Sequence, residues 1–299
     1  MRHLEIKRHM APDDVADVTE LLAAAERADG HRALTDHQWL DLVHGGRQGF
    51  AGLVAWEEGH AHPVAYAQVS RGNGSWALEL VIDPHHRYEA MTIGPDMLGA
   101  AIDVVRAEGG GHVHWWVFEA TSAHEQLAML VGLRPGRELY QMRRLLPMGE
   151  TVTIETRPFA IGQDEKAWLE VNNRAFADHP EQGNWDLDTL LAREAEPWFD
   201  PAGFLLHEID EKLAGFCWTK LHPDHKPVLG EIYVIAVDPT FHGRGLGHQL
   251  TVAGLDSIAK RGVSVGMLYV DADNVAATSL YRSLGFEVHH ADRAFVGDV

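Results

Sequence analysis

The chain has 299 residues, 45% hydrophobic and 23% charged, a composition that predicts a folded globular protein with room for two cores. Its 44 acidic against 25 basic residues give a formal charge of -19, so nucleic acid and anionic lipid are excluded as expected partners. A single cysteine, Cys217, excludes an internal disulfide and fits a reducing compartment. Within Gly215-Phe216-Cys217-Trp218 it reads as a buried, inert thiol.

The opening residues Met1-Arg2-His3-Leu4-Glu5 have no apolar leader, and no apolar run reaches the ~18 residues that a membrane span needs. The expectation is a cytoplasmic monomer. In chain order, the spacing predicts a helix over 11–28, opened by Pro12, Asp13 and Asp14, and a second over 36–44. Strands follow at 52–57, 64–70 and 76–82, the last closed by Asp83-Pro84. Next come a helix over 94–107, a strand at 112–118, a helix over 123–131 and a strand at 138–145.

The second half repeats this order. Helices are predicted over 164–175 and 187–195, then strands at 204–209 and 213–221 around Asp210-Glu211. A strand at 231–237 ends at Asp238-Pro239, and a helix over 248–259, a strand at 265–270, a helix over 276–284 and a strand at 288–295 complete it. Val81-Ile82-Asp83-Pro84 matches Ala236-Val237-Asp238-Pro239 at an offset of 155, and Val131-Gly132-Leu133 matches Leu284-Gly285-Phe286 at 153. So long a period means duplicated domains, predicted at 1–148 and 152–299, with the boundary near Pro147 to Val152. The fold class is α+β, two tandem domains, each a mixed, mostly antiparallel sheet flanked by helices.

The stretch 230–247, G-E-I-Y-V-I-A-V-D-P-T-F-H-G-R-G-L-G, runs from a strand through a glycine-rich turn into a helix. Such a turn aims unpaired backbone N–H groups and the positive helix end at one point, a cradle for phosphate or pyrophosphate. It is not a P-loop, because no Lys-Ser or Lys-Thr follows the glycines, and its G-x-G-x-G spacing is not that of a dinucleotide fold. The first half has Arg87-Tyr88-Glu89-Ala90-Met91-Thr92-Ile93-Gly94 there instead, without the paired glycines and with Glu89 opposing an anion.

This pattern resembles motif A of the GCN5-related N-acetyltransferases (GNAT), a strand followed by Gln/Arg-x-x-Gly-x-Gly/Ala that holds the pyrophosphate of acetyl-CoA. His242 stands where that motif has Gln or Arg. Asn274 to Phe286 resembles the same family's motif B, Asn-x-x-Ala/Ser-x-x-x-Tyr-x-x-x-Gly-Phe. The resemblance implies two tandem GNAT domains, the first degenerate and the second catalytic. It implies acetyl-CoA as co-substrate, with the pantetheine on the main chain of Ile235, Ala236 and Val237. The diphosphate would lie on His242, Gly243, Arg244, Gly245, Leu246, Gly247 and His248, with Asn274, Val275, Ala276, Ala277, Thr278 and Ser279 completing the coenzyme site. Acetyl transfer from a thioester to an amine needs a base for the amine and an acid for the thiolate, and no metal. Glu231, at the start of the motif A strand, is the candidate base. Tyr281 is the candidate acid, its ordinary pKa of about 10 lying above a thiol's of about 8.5. At the repeat offsets Glu231 faces Trp76 and Tyr281 faces Ala128, so the first half has lost both.

Over its whole length the chain also resembles the mycothiol synthase family, tandem acetyltransferases that acetylate the cysteinyl amine of cysteinyl-glucosaminyl-inositol. The likeness rests on Gly230-Glu231-Ile232-Tyr233-Val234, Arg244-Gly245-Leu246-Gly247, Leu268-Tyr269-Val270, Asp273-Asn274-Val275-Ala276-Ala277, Asn172-Asn173-Arg174-Ala175-Phe176 and His179-Pro180-Glu181-Gln182-Gly183. It implies that Asp36, Glu181, Lys220, Glu231 and Tyr269 contact the sugar substrate. Two alternatives stay open: acetylation of another amine, such as an aminoglycoside, polyamine or protein terminus, and a non-catalytic acyl-CoA sensor. The 20 histidines, including His85-His86, His112-x-His114 and His222-x-x-His225, read as solvated side chains rather than metal ligands.

Overall fold

The computed structural model describes residues 2–299 apart from Arg47, Ala61, Asn73 and 178–182, and only the backbone of Arg2, Asp36 and His37. In chain order the first half forms β1 (Arg2–Lys7), α1 (Pro12–Asp29), α2 (Asp36–Val43), β2 (Phe50–Glu57), β3 (Ala65–Arg71), β4 (Trp76–Ile82), α3 (Ala90–Ala107), β5 (His112–Phe118), α4 (Ser122–Leu130) and β6 (Arg134–Leu145). The second forms β7 (Arg157–Pro158), α5 (Glu165–Ala175), α6 (Leu187–Glu194), β8 (Phe204–Ile209), β9 (Lys212–His222), β10 (Leu229–Val237), α7 (Leu246–Lys260), β11 (Val265–Asp271), α8 (Val275–Ser283) and β12 (Glu287–Asp298). Local chemistry sets the helix ends. Pro12 with Asp13 and Asp14 starts α1, and Gly30 stops it at φ 75°. The Thr35 hydroxyl caps α2 by accepting the Gln38 amide.

The chain divides into two compact units, Met1–Glu138 with Ala291–Val299, and Leu139–His290. In the first unit the strands run β1-β2-β3-β4-β5-β12, antiparallel except for the parallel pair β4 and β5. In the second they run β6-β11-β10-β9-β8-β7, antiparallel except for the parallel pair β10 and β11. The mixed, mostly antiparallel layout expected from sequence is therefore present twice. Its limits are not those expected. Residues 139–145 of β6 pair with all of β11, and residues 292–298 of β12 pair with all of β5. The division at 1–148 and 152–299 is corrected accordingly: each unit takes its closing strand from the other half of the sequence. Packing shows why the arrangement holds, since Met142 lies in the core of the second unit and Phe295 in that of the first.

Strands β1 and β7 were not expected, and α3 starts at Ala90 rather than at 94 because Pro95 is tolerated inside it. In the second unit the sheet is apolar on both faces. Cys217, Ile232, Leu250, Leu255, Leu268 and Tyr281 form one layer beneath α7 and α8. Trp168, Phe204, Phe216, Trp218 and Val234 form the other beneath α5 and α6. Trp168 meets Phe204, Phe216 and Trp218 edge-on at ring separations of 5.6, 5.2 and 5.8 Å, pairs that contribute about 0.5–1.5 kcal/mol each beyond burial. A Cβ at Gly230 would collide with Ile258, so that glycine lets α7 lie close on β10. Among the described residues no helix is long and apolar enough to cross a membrane.

Candidate active site

Strand β10 is paired on both sides only at its start. Leu229 to Ile232 pair in parallel with Val265 to Leu268 of β11, and there that ladder stops. The other edge continues along β9 as far as Val237 opposite Gly215, with a bulge between Ile232 and Val234 that leaves Tyr233 as the extra residue. Beyond Ile232 the β11-facing edge of β10 is therefore open, and Ile235, Ala236 and Val237 lie along it. The two strands splay apart from there.

At the strand end, Asp238 is 2% exposed and takes the Arg174 guanidinium at 2.5 Å, the Thr240 hydroxyl at 2.7 Å and the Thr240 amide at 2.9 Å. Burial pushes its carboxyl up, but these hydrogen bonds outweigh burial and hold it below the ordinary aspartate range. The turn that follows places Gly243 at φ 78° and Gly245 at φ 73°, and nothing lies within 4 Å of where a Cβ would stand at either. Gly245 is the N-cap of α7 and no side chain caps that helix. With that helix start uncapped and both Cβ positions clear, the loop suits a diphosphate on both shape and charge. His242 turns back and donates from Nε2 to the Val237 carbonyl at 3.1 Å, bracing the loop against the strand. The matching turn in the first unit is a short 3₁₀ segment, Pro84–Glu89, and there Glu89 itself stands as N-cap of α3.

Glu231 is 7% exposed and lies opposite Lys220 on β9 and Met267 on β11. Its Oε2 accepts from His222 Nε2 at 2.7 Å. Lys220 does not pair with Glu231. Its ammonium sits over the Trp198 ring at 4.4 Å and the Tyr233 ring at 5.6 Å, a cation–π box on the same sheet face. Alternation from Met267 puts Tyr269 on that face too, and its hydroxyl accepts from Gln141 Nε2 at 2.7 Å. Tyr281 is also 7% exposed but belongs to the opposite layer, with Ile232, Cys217 and Leu250. Burial, with a smaller contribution from Cys217, raises its phenol above the ordinary tyrosine value, so it keeps its proton at any working pH. Asn274 caps α8, Oδ1 accepting the Ala277 amide at 3.1 Å, and carries Tyr281 two turns further on. Cys217 is fully buried and burial pushes its thiol up to about 12, matching the inert role expected of it.

A carboxylate on one face of a strand gap, a phenol on the other and an uncapped glycine-rich helix start at its end are the kinds of group that acyl transfer from a thioester calls for. The acetyltransferase (GNAT) family model matches residues 166–286, the span that holds all three. A mycothiol acetyltransferase of Acidimicrobium ferrooxidans is 43% identical over 283 residues, covering 92% of this chain and 91% of that protein. The chain belongs to the mycothiol acetyltransferase family. A member from Kocuria rhizophila is 40% identical and covers 94% of this chain and 96% of its own. Among solved structures, a GCN5-related N-acetyltransferase from Sphaerobacter thermophilus superposes with a TM-score of 0.76 at 22% identity, covering 99% of this chain and 95% of that one. A tandem GNAT protein from the clavulanic acid biosynthesis pathway gives 0.68 at 16%, covering 99% and 98%. Both are similar in fold.

Among the residues expected to meet the sugar, Lys220, Glu231 and Tyr269 share one face of the second unit in this mycothiol acetyltransferase family member. Asp36 opens α2 in the first unit, its side chain outside the described residues, and Glu181 lies wholly outside them. Sequence reasoning missed three features: His222 on Glu231, the aromatic box around Lys220, and Gln141, which β6 brings from the first half of the chain. Residues 218, 220 and 222 alternate onto one face of β9, and that signal points to His222. Two histidine-bearing groups also come together, Glu57 with His60 and His86, and His222 with Asp224 and His225, their donor atoms lying within 4.8 Å of one another in each.

Proposed function

We propose that the chain transfers the acetyl group of acetyl-CoA to the cysteinyl amine of cysteinyl-glucosaminyl-inositol, the last step of mycothiol formation, as a cytoplasmic monomer whose second unit does the chemistry. The open edge between β10 and β11, with Glu231 and Tyr281 on opposite sides of it, carries this reading. The diphosphate rests on amides of 243–248 and the pantetheine runs along Ile235, Ala236 and Val237. The thioester then lies in the gap, with the amine arriving on the Glu231 face. Lys220, Tyr269 and Trp198 on that face offer a cation, a phenol and a flat apolar surface to a polyhydroxylated sugar.

Glu231 takes a proton from the amine, directly or through water, as nitrogen bonds to the acetyl carbon. The C–S bond breaks on collapse of the tetrahedral adduct, and the Tyr281 hydroxyl gives its proton to the leaving sulfur. The first unit, with Glu89 where an anion would sit, serves as a structural domain.

Incubation with acetyl-CoA and a panel of amines tests the substrate. The cysteinyl pseudodisaccharide is expected to be acetylated at least 100-fold faster, by kcat/KM, than aminoglycosides or polyamines, and equal rates would overturn the assignment. A β-branched side chain is incompatible with φ 73° and fills the cradle, so Gly245→Val is expected to abolish acetyl-CoA binding in calorimetry. Unchanged affinity would remove the cradle from the site.

A further inference from the structure

Starting from the ammonium form of the amine, two protons leave the nitrogen; one replaces the proton that Tyr281 gives the thiolate, so each turnover releases one proton. Glu231, the group placed to collect it, is nearly closed to solvent: its side chain is 9% exposed. A buried carboxylate that cannot pass its proton on is spent after one cycle. Its contacts show one way out. His222 Nε2 meets Glu231 Oε2 at 2.7 Å, and the His222 side chain is 20% exposed. The His222 ring in turn stands edge-on to His225 at 5.8 Å, and the donor atoms of His222, Asp224 and His225 cluster within 4.8 Å. Asp224 and His225 are exposed. Exposure therefore rises step by step from Glu231 through His222 to the β9–β10 turn.

We propose that His222 is the proton outlet of Glu231. Its Nε2–H holds the carboxylate toward the gap, and its ring relays each proton collected there to Asp224, His225 and solvent. In the resting state Nε2–H donates to the ionised Glu231. When Glu231 has gained the amine proton, the ring shifts its own proton from Nε2 to Nδ1 through solvent, takes the Glu231 proton on the freed Nε2, and Glu231 returns to the carboxylate form. The other ring nitrogen releases a proton to water or to the exposed pair, so no charge accumulates in the gap. The charged and titratable groups around the pair are Lys220 opposite Glu231, Tyr233 on the same strand, and Asp224 and His225 in the turn. Lys220 is held on Trp198 and Tyr233, away from the carboxylate, so it does not compete for the proton. This assignment rests on Glu231 being the base.

The test uses the whole chain with acetyl-CoA and the cysteinyl pseudodisaccharide, comparing His222→Gln, which keeps an N–H donor but cannot relay, with Glu231→Gln. For His222→Gln the expected result is a fall in kcat of at least tenfold, unchanged affinity for acetyl-CoA, a displaced acid limb of the kcat profile, and partial recovery on adding imidazole. A kcat equal to wild type across pH 6–9, or a fall that imidazole does not relieve and that leaves the pH profile in place, overturns the outlet. If Glu231→Gln itself keeps full rate, the base assignment fails, and the outlet falls with it. An inactive Glu231→Gln beside a fully active His222→Gln removes the outlet alone.

Discussion

At the scale of single residues, the division of labour depends on which proton each group can hold. Tyr281 is buried and keeps its proton, so its loss should strike the departure of the thiolate and not coenzyme binding. Tyr281→Phe is expected to lower kcat about 10²-fold or more while leaving acetyl-CoA affinity within twofold, by single-turnover kinetics and calorimetry. A half-buried acid in the first unit has a different consequence. Burial pushes the Glu79 carboxyl up to about 8, offset only in part by the hydrogen bond from Gln38 at 2.9 Å. In the unfolded chain that carboxyl ionises near 4.3. Between those values the folded state holds a proton that the unfolded state has lost, so stability falls as pH rises from about 4 to 8. Glu79→Gln removes this penalty. Its melting temperature should exceed wild type at pH 8 and equal it at pH 4, whereas a constant difference at both would show that ionisation is not the cause. Glu231 and Tyr281 could be named as candidates from the sequence because fixed spacing within one strand and one helix marks them. His222 and Gln141 could not, because their contacts come from neighbours on other strands, which spacing along the chain does not encode.

The elements show how the site is built from standard parts. The Asp-Pro turns, the glycine-rich loop and the Asn-capped helix α8 are local devices, and each could be read residue by residue. The cap has a measurable weight: Asn274→Ala should cost about 1 kcal/mol in thermal unfolding and loosen the turn that leads to Tyr281. An unchanged melting temperature would mean that the cap bond is replaced by water. The bulge at Tyr233 was not legible. It depends on β9 and β10 having different lengths between their paired ends, a property of two strands together. That bulge turns Tyr233 toward Trp198, Trp218 and the Lys220 ammonium, so an irregularity in pairing helps to form the aromatic box.

For the whole molecule, the repeat was visible as an offset of matching turns, yet the exchange of closing strands was not. β6 and β12 carry interchangeable hydrophobic patterns, and either satisfies an antiparallel edge; which edge each takes is a long-range choice. A fragment of residues 1–133, which stops before β6, has neither strand to cover β5. It should expose that edge and aggregate, whereas the same fragment with 291–299 supplied as a peptide should gain solubility in light-scattering measurements. If the fragment alone stays monodisperse, β12 is dispensable to the first unit.

The exchange also inverts the order in which the two halves reach completion on the ribosome. Everything in 139–290 has been translated before residues 291–299 appear, so the second body owns a full set of strands while the body begun earlier still waits for one. The half whose synthesis starts first is the half that finishes last, and until then its β5 margin is without the partner it holds in the folded chain.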